Sequence, residues 1–330
     1  MTDDHVFSAD RRTFMRHALA ATSLPLVSQI RDAQAQAPTR VQAETQDAAA
    51  GTRLVLLGTK GGPTPSTLRA APANLLTING RPYVVDCDNG VATQLTKAGV
   101  KLSRLQAIFL THHHSDHNAD LGNLVLLAWA SGLTTPVHIY GPPPIKDMIA
   151  SFMRMNVVDI ETRMREEGRP PFKDLIVVHE FDEPGLVLEN DQVRVSCALV
   201  DHYTLKPALA YRFDTPGRSV VFSGDTTYSE NLIRLAQGAD VLVHEVMYLP
   251  ALEKLMRTVD GAPTLLDHLV KSHTTTEQVG RIAAAAGVKT LVLSHFVPGG
   301  DPAITDEMWS KEARQYFHGD IIVGRDLMAL

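Results

Sequence analysis

Cysteine is almost absent from this 330-residue chain, which carries Cys87 and Cys197 alone. Two thiols cannot build a disulfide framework. They could pair in an exported protein, and otherwise they read as small buried hydrophobes in strands. Basic runs are also missing after the first residues. With a formal net charge of -6, the summed field does not favour a polyanionic partner, which counts against nucleic acid. Beyond residue 51 no apolar stretch is long enough to span a bilayer, and no repeat of fixed period is present. What remains is 44% hydrophobic and 21% charged. That is an ordinary globular composition with enough apolar mass for one large core or two small ones.

The first fifty residues read as an address. Arg11-Arg12-Thr13-Phe14-Met15-Arg16 precedes an apolar stretch from Ala18 to Ile30, and Ala33-Gln34-Ala35 follows with small residues at alternate positions. This is the basic, apolar, small-residue order of a secretory signal, and the arginine pair resembles a twin-arginine signal. The division expected is a signal peptide over 1–37, a flexible mature N-terminus over 38–51 and one catalytic domain over 52–330. Localisation would then be periplasmic or secreted, by twin-arginine export of a folded protein.

Further on, short apolar runs alternate with helical patterns. Arg53–Gly58, Asn74–Ile78 and Tyr83–Asp86 read as strands, the last two joined by the Asn79-Gly80 hairpin signal. A helix is predicted over Val91–Ala98, capped by Gly99. Ala107–Leu110 is a buried strand and Leu121–Ala130 an apolar helix. The second half repeats the style, with strands over Val193–Cys197, Ala210–Phe213, Ser219–Phe222, Val241–Val243 and Leu291–Leu293. Two β-rich halves with helices outside suggest an α/β (α+β) four-layer αββα sandwich. Two helical insertions, 142–171 and 249–271, fit less simply. The methionines of the first (Met148, Met153, Met155, Met164) are read as core packing, the sharper alternative being a plastic wall over a site.

Histidine is abundant, with 14 in the chain, and four of them fall between His112 and His117. The strand Ala107–Leu110 runs directly into Thr111-His112-His113-His114-Ser115-Asp116-His117. Alternation places His112 and His114 on one side and His113 on the other. Asp116 and His117 follow at the turn into a helix, where they can face a second ion. Neutral imidazole and carboxylate are the ligands that zinc-type ions prefer. A surface histidine cluster would not explain an apolar strand delivering this order to a helix start.

The pattern resembles the signature of the metallo-β-lactamase superfamily, and it continues in order along nearly the whole mature chain. Val200-Asp201-His202, Ser223-Gly224-Asp225-Thr226 and Leu293-Ser294-His295-Phe296 each follow a β-type run. By that resemblance His112, His114 and His202 hold one metal, Asp116, His117 and His295 hold a second, and Asp225 bridges them. The resemblance implies two Zn2+, with Mn2+ or Fe2+ as alternatives, and a metal-bridging hydroxide as the attacking group, with Asp116 accepting a proton. His244-Glu245, Ser272-His273-Thr274-Thr275 and Ile139-Tyr140-Gly141-Pro142 point to the ribonuclease Z and arylsulfatase-like branch. In that branch His273 would support developing charge or protonate the leaving group, oriented by Glu245. The other reading of His273 is a neighbour of a helix cap. His113, His138, His179, His268 and His318 are read as structural.

One departure bears on substrate. Transfer-RNA-processing ribonuclease Z carries a long Gly/Pro-rich arm between the positions matching His202 and Asp225, and here two strands and the Pro216-Gly217 turn use up that length. The leading expectation is therefore an exported dinuclear-zinc hydrolase of a small ester-type substrate: aryl sulfate, phosphodiester, carboxylic ester or lactone. The alternative is a ribonuclease Z-like phosphodiesterase or endoribonuclease without the tRNA-gripping arm. An iron-dependent redox or thioester enzyme and a non-enzymatic metal-binding protein stand behind these two. Trp129, Tyr203 and Tyr248 are expected to shape the pocket, and a homodimer is a family-level expectation.

Overall fold

Asn79 and Gly80 both adopt positive φ, 48° and 76°, as a two-residue hairpin turn between right-twisted strands requires. They join β2 (Ala73–Ile78) to β3 (Arg81–Val85), and β1 (Thr52–Gly58) pairs on the other side of β2. The computed structural model describes residues 51–330. The expected signal peptide and nearly all of the flexible stretch after it lie outside the described residues.

From β3 onward the first sheet turns parallel, through β4 (Ala107–Phe109), β5 (Val137–Gly141) and β6 (Ile176–Glu180). The second sheet begins antiparallel, with β7 (Gly185–Glu189), β8 (Arg194–Val200), β9 (Ala208–Asp214) and β10 (Ser219–Phe222). It too turns parallel, through β11 (Val241–Met247), β12 (Thr290–Val297) and β13 (Asp320–Val323). The short β14 (Met328–Ala329) returns to β1, so each sheet has seven strands.

The three largest apolar cores stack across the two sheets. One packs helices Val91–Lys97, Leu121–Ala130 and Ile145–Met155 on the first sheet. A second packs helices Glu230–Leu235 and Thr276–Ala286 on the other sheet. Between the sheets lies the third core, with Phe109 at its centre. The Phe109 ring stacks on Tyr140 at 4.8 Å and meets Tyr211 and Phe213 edge-on at 5.5 and 4.9 Å. The Tyr211 hydroxyl donates to the Leu110 carbonyl at 2.8 Å. The fold is thus the four-layer αββα sandwich, and β4 is pinned at the point where it delivers the histidine segment. Among the described residues no helix is long and apolar enough to cross a membrane.

Three local expectations need correction. Trp129 does not line a pocket: it is fully buried against Phe172, with its indole N–H donated to the Pro170 carbonyl. Cys87 sits just past β3 rather than in a strand, while Cys197 is in β8; both are free and buried. None of the four methionines in the first insertion is fully buried. Met153 and Met164 pack against the core from its margin, and Met155, at the end of its helix, is 74% exposed.

Candidate metal centre

The site lies where the strand ends of both sheets meet. Past β4 the chain runs through Thr111 and His112, and the single-turn helix Ser115–Asn118 presents Asp116 and His117. His202 follows β8, and Asp225 follows β10 through Gly224. Gly224 has φ 59°, and a Cβ there would lie 2.6 Å from the Leu209 carbonyl oxygen, so only glycine makes this turn. His295 is placed by a bulge. Glu245 pairs with Ser294 and Val246 with Phe296, leaving His295 as the extra residue, at φ 45°.

His112, His114, His202 and Asp225 come together, as do Asp116, His117 and His295. The Nε2 atoms of His112 and His202 lie 3.2 and 2.9 Å from the Nδ1 of His114, and the Nε2 atoms of His117 and His295 are 3.2 Å apart. Ligands about 2.0–2.1 Å from a tetrahedral zinc are separated by about 3.4 Å. One oxygen, Asp225 Oδ2, stands 3.3–4.0 Å from His112, His117, His202 and His295, between the two groups. The donor set therefore fits two divalent cations sharing one carboxylate.

The distal ring nitrogens of three of these imidazoles are fixed by their neighbours. His202 Nδ1 donates to the Ser272 carbonyl at 2.9 Å, His117 Nδ1 to Asp86 at 2.8 Å, and His112 Nδ1 to the Thr111 hydroxyl at 3.0 Å. The Thr111 hydroxyl in turn donates to Asp86. These bonds leave Nε2 as the free electron pair, the arrangement that orients metal-ligating histidines. Burial lowers the basicity of His112 and His114 and pulls His202 down to about 4, so all three favour the neutral ligand form. Burial alone would raise Asp225 and Asp116, but nearby imidazoles, led by His295 for Asp225 and His117 for Asp116, hold both well below the usual carboxylate range. His113 turns away, its Nε2 hydrogen-bonded to the Pro142 carbonyl.

Glu245 ties the neighbouring loops to this centre. Its Oε1 accepts from Thr226 N at 3.1 Å, Thr274 N at 3.1 Å and His273 Nδ1 at 3.2 Å. His273 Nδ1 is also 3.9 Å from Asp225 Oδ2. Burial works against the charged form of His273, but the Glu245 carboxylate more than offsets it and lifts the imidazole to about 9. The cap next door belongs to Thr275, whose side chain and Gln278 form a capping box for helix Thr276–Ala286.

Three participants were not anticipated from sequence. Asp86, with φ 64°, ends a Val84-Val85 run as the ligands end theirs, and that shared placement was the available signal. Lys60 is buried where β1 leaves the sheet, facing Asp116 and Asp88. His268, read as structural, stands with its ring centre 5.9 Å from that of His114 and 6.4 Å from that of His202, beside Tyr203. It is carried by helix Leu265–Ser272, so the second insertion reaches the centre directly. Tyr248 packs against Trp309. His138 and His179 pair with each other at 2.9 Å beside Tyr140, and His318 is exposed.

The chain is similar to known proteins over most of its length. The profile of the family described as Beta-lactamase superfamily domain matches residues 81–296. A protein named Ribonuclease Z from Mycobacterium bovis is 33% identical over 277 residues, 83% of this chain and 96% of that protein. One of the same name from Mycobacterium avium is 34% identical with the same coverage. The crystal structure of human tRNase Z, short form, superposes with a TM-score of 0.62 at 23% identity, covering 84% of this chain and 98% of that one, a likeness of fold. With its two sheets, its paired His/Asp clusters and these relatives, the chain belongs to the metallo-β-lactamase superfamily.

Proposed function

We propose that the protein is a metal-dependent phosphodiester hydrolase with a ribonuclease Z-like catalytic core. The observation that carries this reading is the buried His273–Glu245 pair set beside Asp225, next to His/Asp groups that would hold two cations. The relatives named Ribonuclease Z support it over nearly their whole length. The charge argument against nucleic acid therefore gives way, and RNA returns as a substrate class.

His112, His114, His202, Asp116, His117 and His295 would hold two divalent ions, zinc by ligand chemistry, with Asp225 shared. Such ions polarise a phosphoryl oxygen and make a water acidic enough to attack at neutral pH. The chain's own residues do the rest. Glu245 engages Nδ1 of His273, which fixes the ring and leaves Nε2 to hold a proton for the departing oxygen. Burial of Glu245, His273 and Asp225 limits competing water and strengthens their interactions.

A second reading, hydrolysis of a small ester-type substrate such as an aryl sulfate, carboxylic ester or lactone, is favoured by one observation. Between His202 and Asp225 the chain forms β9, a turn and β10, with no room for a tRNA-gripping arm. A panel on zinc-loaded protein separates the two: bis(p-nitrophenyl) phosphate and a 3′-extended precursor tRNA against p-nitrophenyl sulfate, p-nitrophenyl acetate and a lactone. Phosphodiester turnover well above the rest supports the first reading, and the reverse order overturns it. Export by the twin-arginine route belongs to the same proposal, on the strength of Arg11-Arg12. Fractionation of a variant with both arginines changed to lysine tests it, the expected result being retention in the cytoplasm.

A further inference from the structure

Beyond β1 the chain runs through Thr59, Lys60, Gly61 and Gly62 across the edge of the candidate metal centre. Lys60 is only 6% exposed. Its ammonium donates to two consecutive carbonyls, that of Gly61 at 2.9 Å and that of Gly62 at 2.7 Å. One cation holding both oxygens curls the loop, with Gly62 at φ 83°. The curl aims the Gly62 N–H at Asp116 Oδ2, 2.8 Å away.

The same loop is zipped to the segment that carries His295. Gly61 N donates to the Phe296 carbonyl at 3.0 Å, and Phe296 N donates to the Thr59 carbonyl at 2.9 Å. Gly61 passes so close that a Cβ there would lie 2.8 Å from His295 Nδ1 and 2.7 Å from Val297 Cγ2. His295 Nδ1 is buried with no hydrogen-bond partner, so its ring is held by packing against this backbone rather than by a bond to the distal nitrogen. Among the described residues, none of the loop's hydrogen bonds reaches His112, His114 or His202.

We propose that Lys60 is a positioning residue for one half of the centre: by holding the Gly61-Gly62 curl it orients Asp116 and His295, and so sets the affinity of the cation held by Asp116, His117 and His295. The proposal rests on the two-cation reading and assigns that site its own control. His112 and His202 are held instead by Thr111 and the Ser272 carbonyl, out of reach of the lysine. Groups that orient ligands from behind typically change metal affinity about 10–100-fold.

The test is zinc titration of the full chain and of the variants Lys60→Met and Lys60→Gln, with zinc content measured after dialysis at defined free zinc. The expected result is one tight zinc per chain in both variants, where the unaltered protein holds two. The weaker step should shift about 10–100-fold, with unchanged far-UV circular dichroism. Imidazole 15N shifts should show His117 and His295 released while His112 and His202 stay bound. Two zinc ions at unaltered affinity in the variants, equal weakening of both, or failure of both variants to fold would each overturn the role given to Lys60. Fewer than two ions in the unaltered protein would instead overturn the two-cation reading, and this proposal with it.

Discussion

His273 Nδ1 lies 3.2 Å from Glu245 Oε1 and 3.9 Å from Asp225 Oδ2. One buried imidazole thus lies within 4 Å of both the carboxylate that orients it and the carboxylate between the two His/Asp groups. Glu245 also accepts from the Thr226 and Thr274 amides, so the same oxygen holds the Asp225 loop and the His273 loop in register.

Two substitutions separate these roles. His273→Ala should lower kcat about 100- to 10,000-fold, the usual worth of a positioned acid or base, while zinc content and folding stay as in the unaltered protein. Glu245→Ala should cost stability as well, because three buried donors lose their acceptor, at about 1–3 kcal/mol for each one left unpaired. Steady-state kinetics alongside thermal unfolding check both. Equal loss of stability in the two variants would contradict the division.

Phe109 ties the inter-sheet core to the strand that delivers His112. Phe109→Ala should destabilise by about 3–5 kcal/mol, the range for truncating a buried phenylalanine. Denaturant unfolding measures the loss. At temperatures where the variant is folded it should still bind zinc, since none of the donor atoms belongs to the residue removed.

Cys87 packs in the core outside the first sheet, and Cys197 in the core between the sheets. Burial raises both thiols above their ordinary range. A thiol reagent should find neither in the native protein and both after denaturation, and reductant should leave the melting temperature unchanged. This outcome would close the pairing that the sequence left open for an exported protein.

Asp240 bonds Lys289 and accepts from the Ser219 amide and hydroxyl, which together draw its carboxyl down to about 2. A depressed carboxyl stabilises the fold above its unfolded value near about 4 and loses that contribution as pH falls through the folded value. The melting-temperature advantage of the unaltered protein over Asp240→Asn should therefore be full at neutral pH and shrink as pH falls from about 4 to about 2. A constant gap across that range would contradict the assignment.

The candidate ligands were legible in the sequence because each group of them follows an apolar β-type run, and period-two alternation tells His112 and His114 from His113. The hairpin at Asn79-Gly80 was legible for a similar local reason. The supporting residues were not. Asp86 and Lys60 act through contacts across 31 and two residues respectively, the first to His117 and the second to its own loop, and Lys60 lies in no run of ligand-type residues. Glu245 was readable as a partner of His273, but its bonds to Thr226 and Thr274 depend on how β10 and β11 align. Trp129 misled because an aromatic side chain near a metal motif looks like a pocket wall until the packing of Phe172 and Pro170 is seen. The histidine of the second insertion, His268, reached the centre only through the placement of its helix.

The proposed activity is phosphodiester hydrolysis through cations bound at this His/Asp centre. Its most direct test is hydrolysis of bis(p-nitrophenyl) phosphate followed against zinc content, for the unaltered protein and for Asp225→Ala. The expected result is no turnover after complete chelation, recovery as zinc is restored toward two per chain, and neither full loading nor recovery in Asp225→Ala. Turnover that survives complete metal removal, or that Asp225→Ala retains in full, would contradict it.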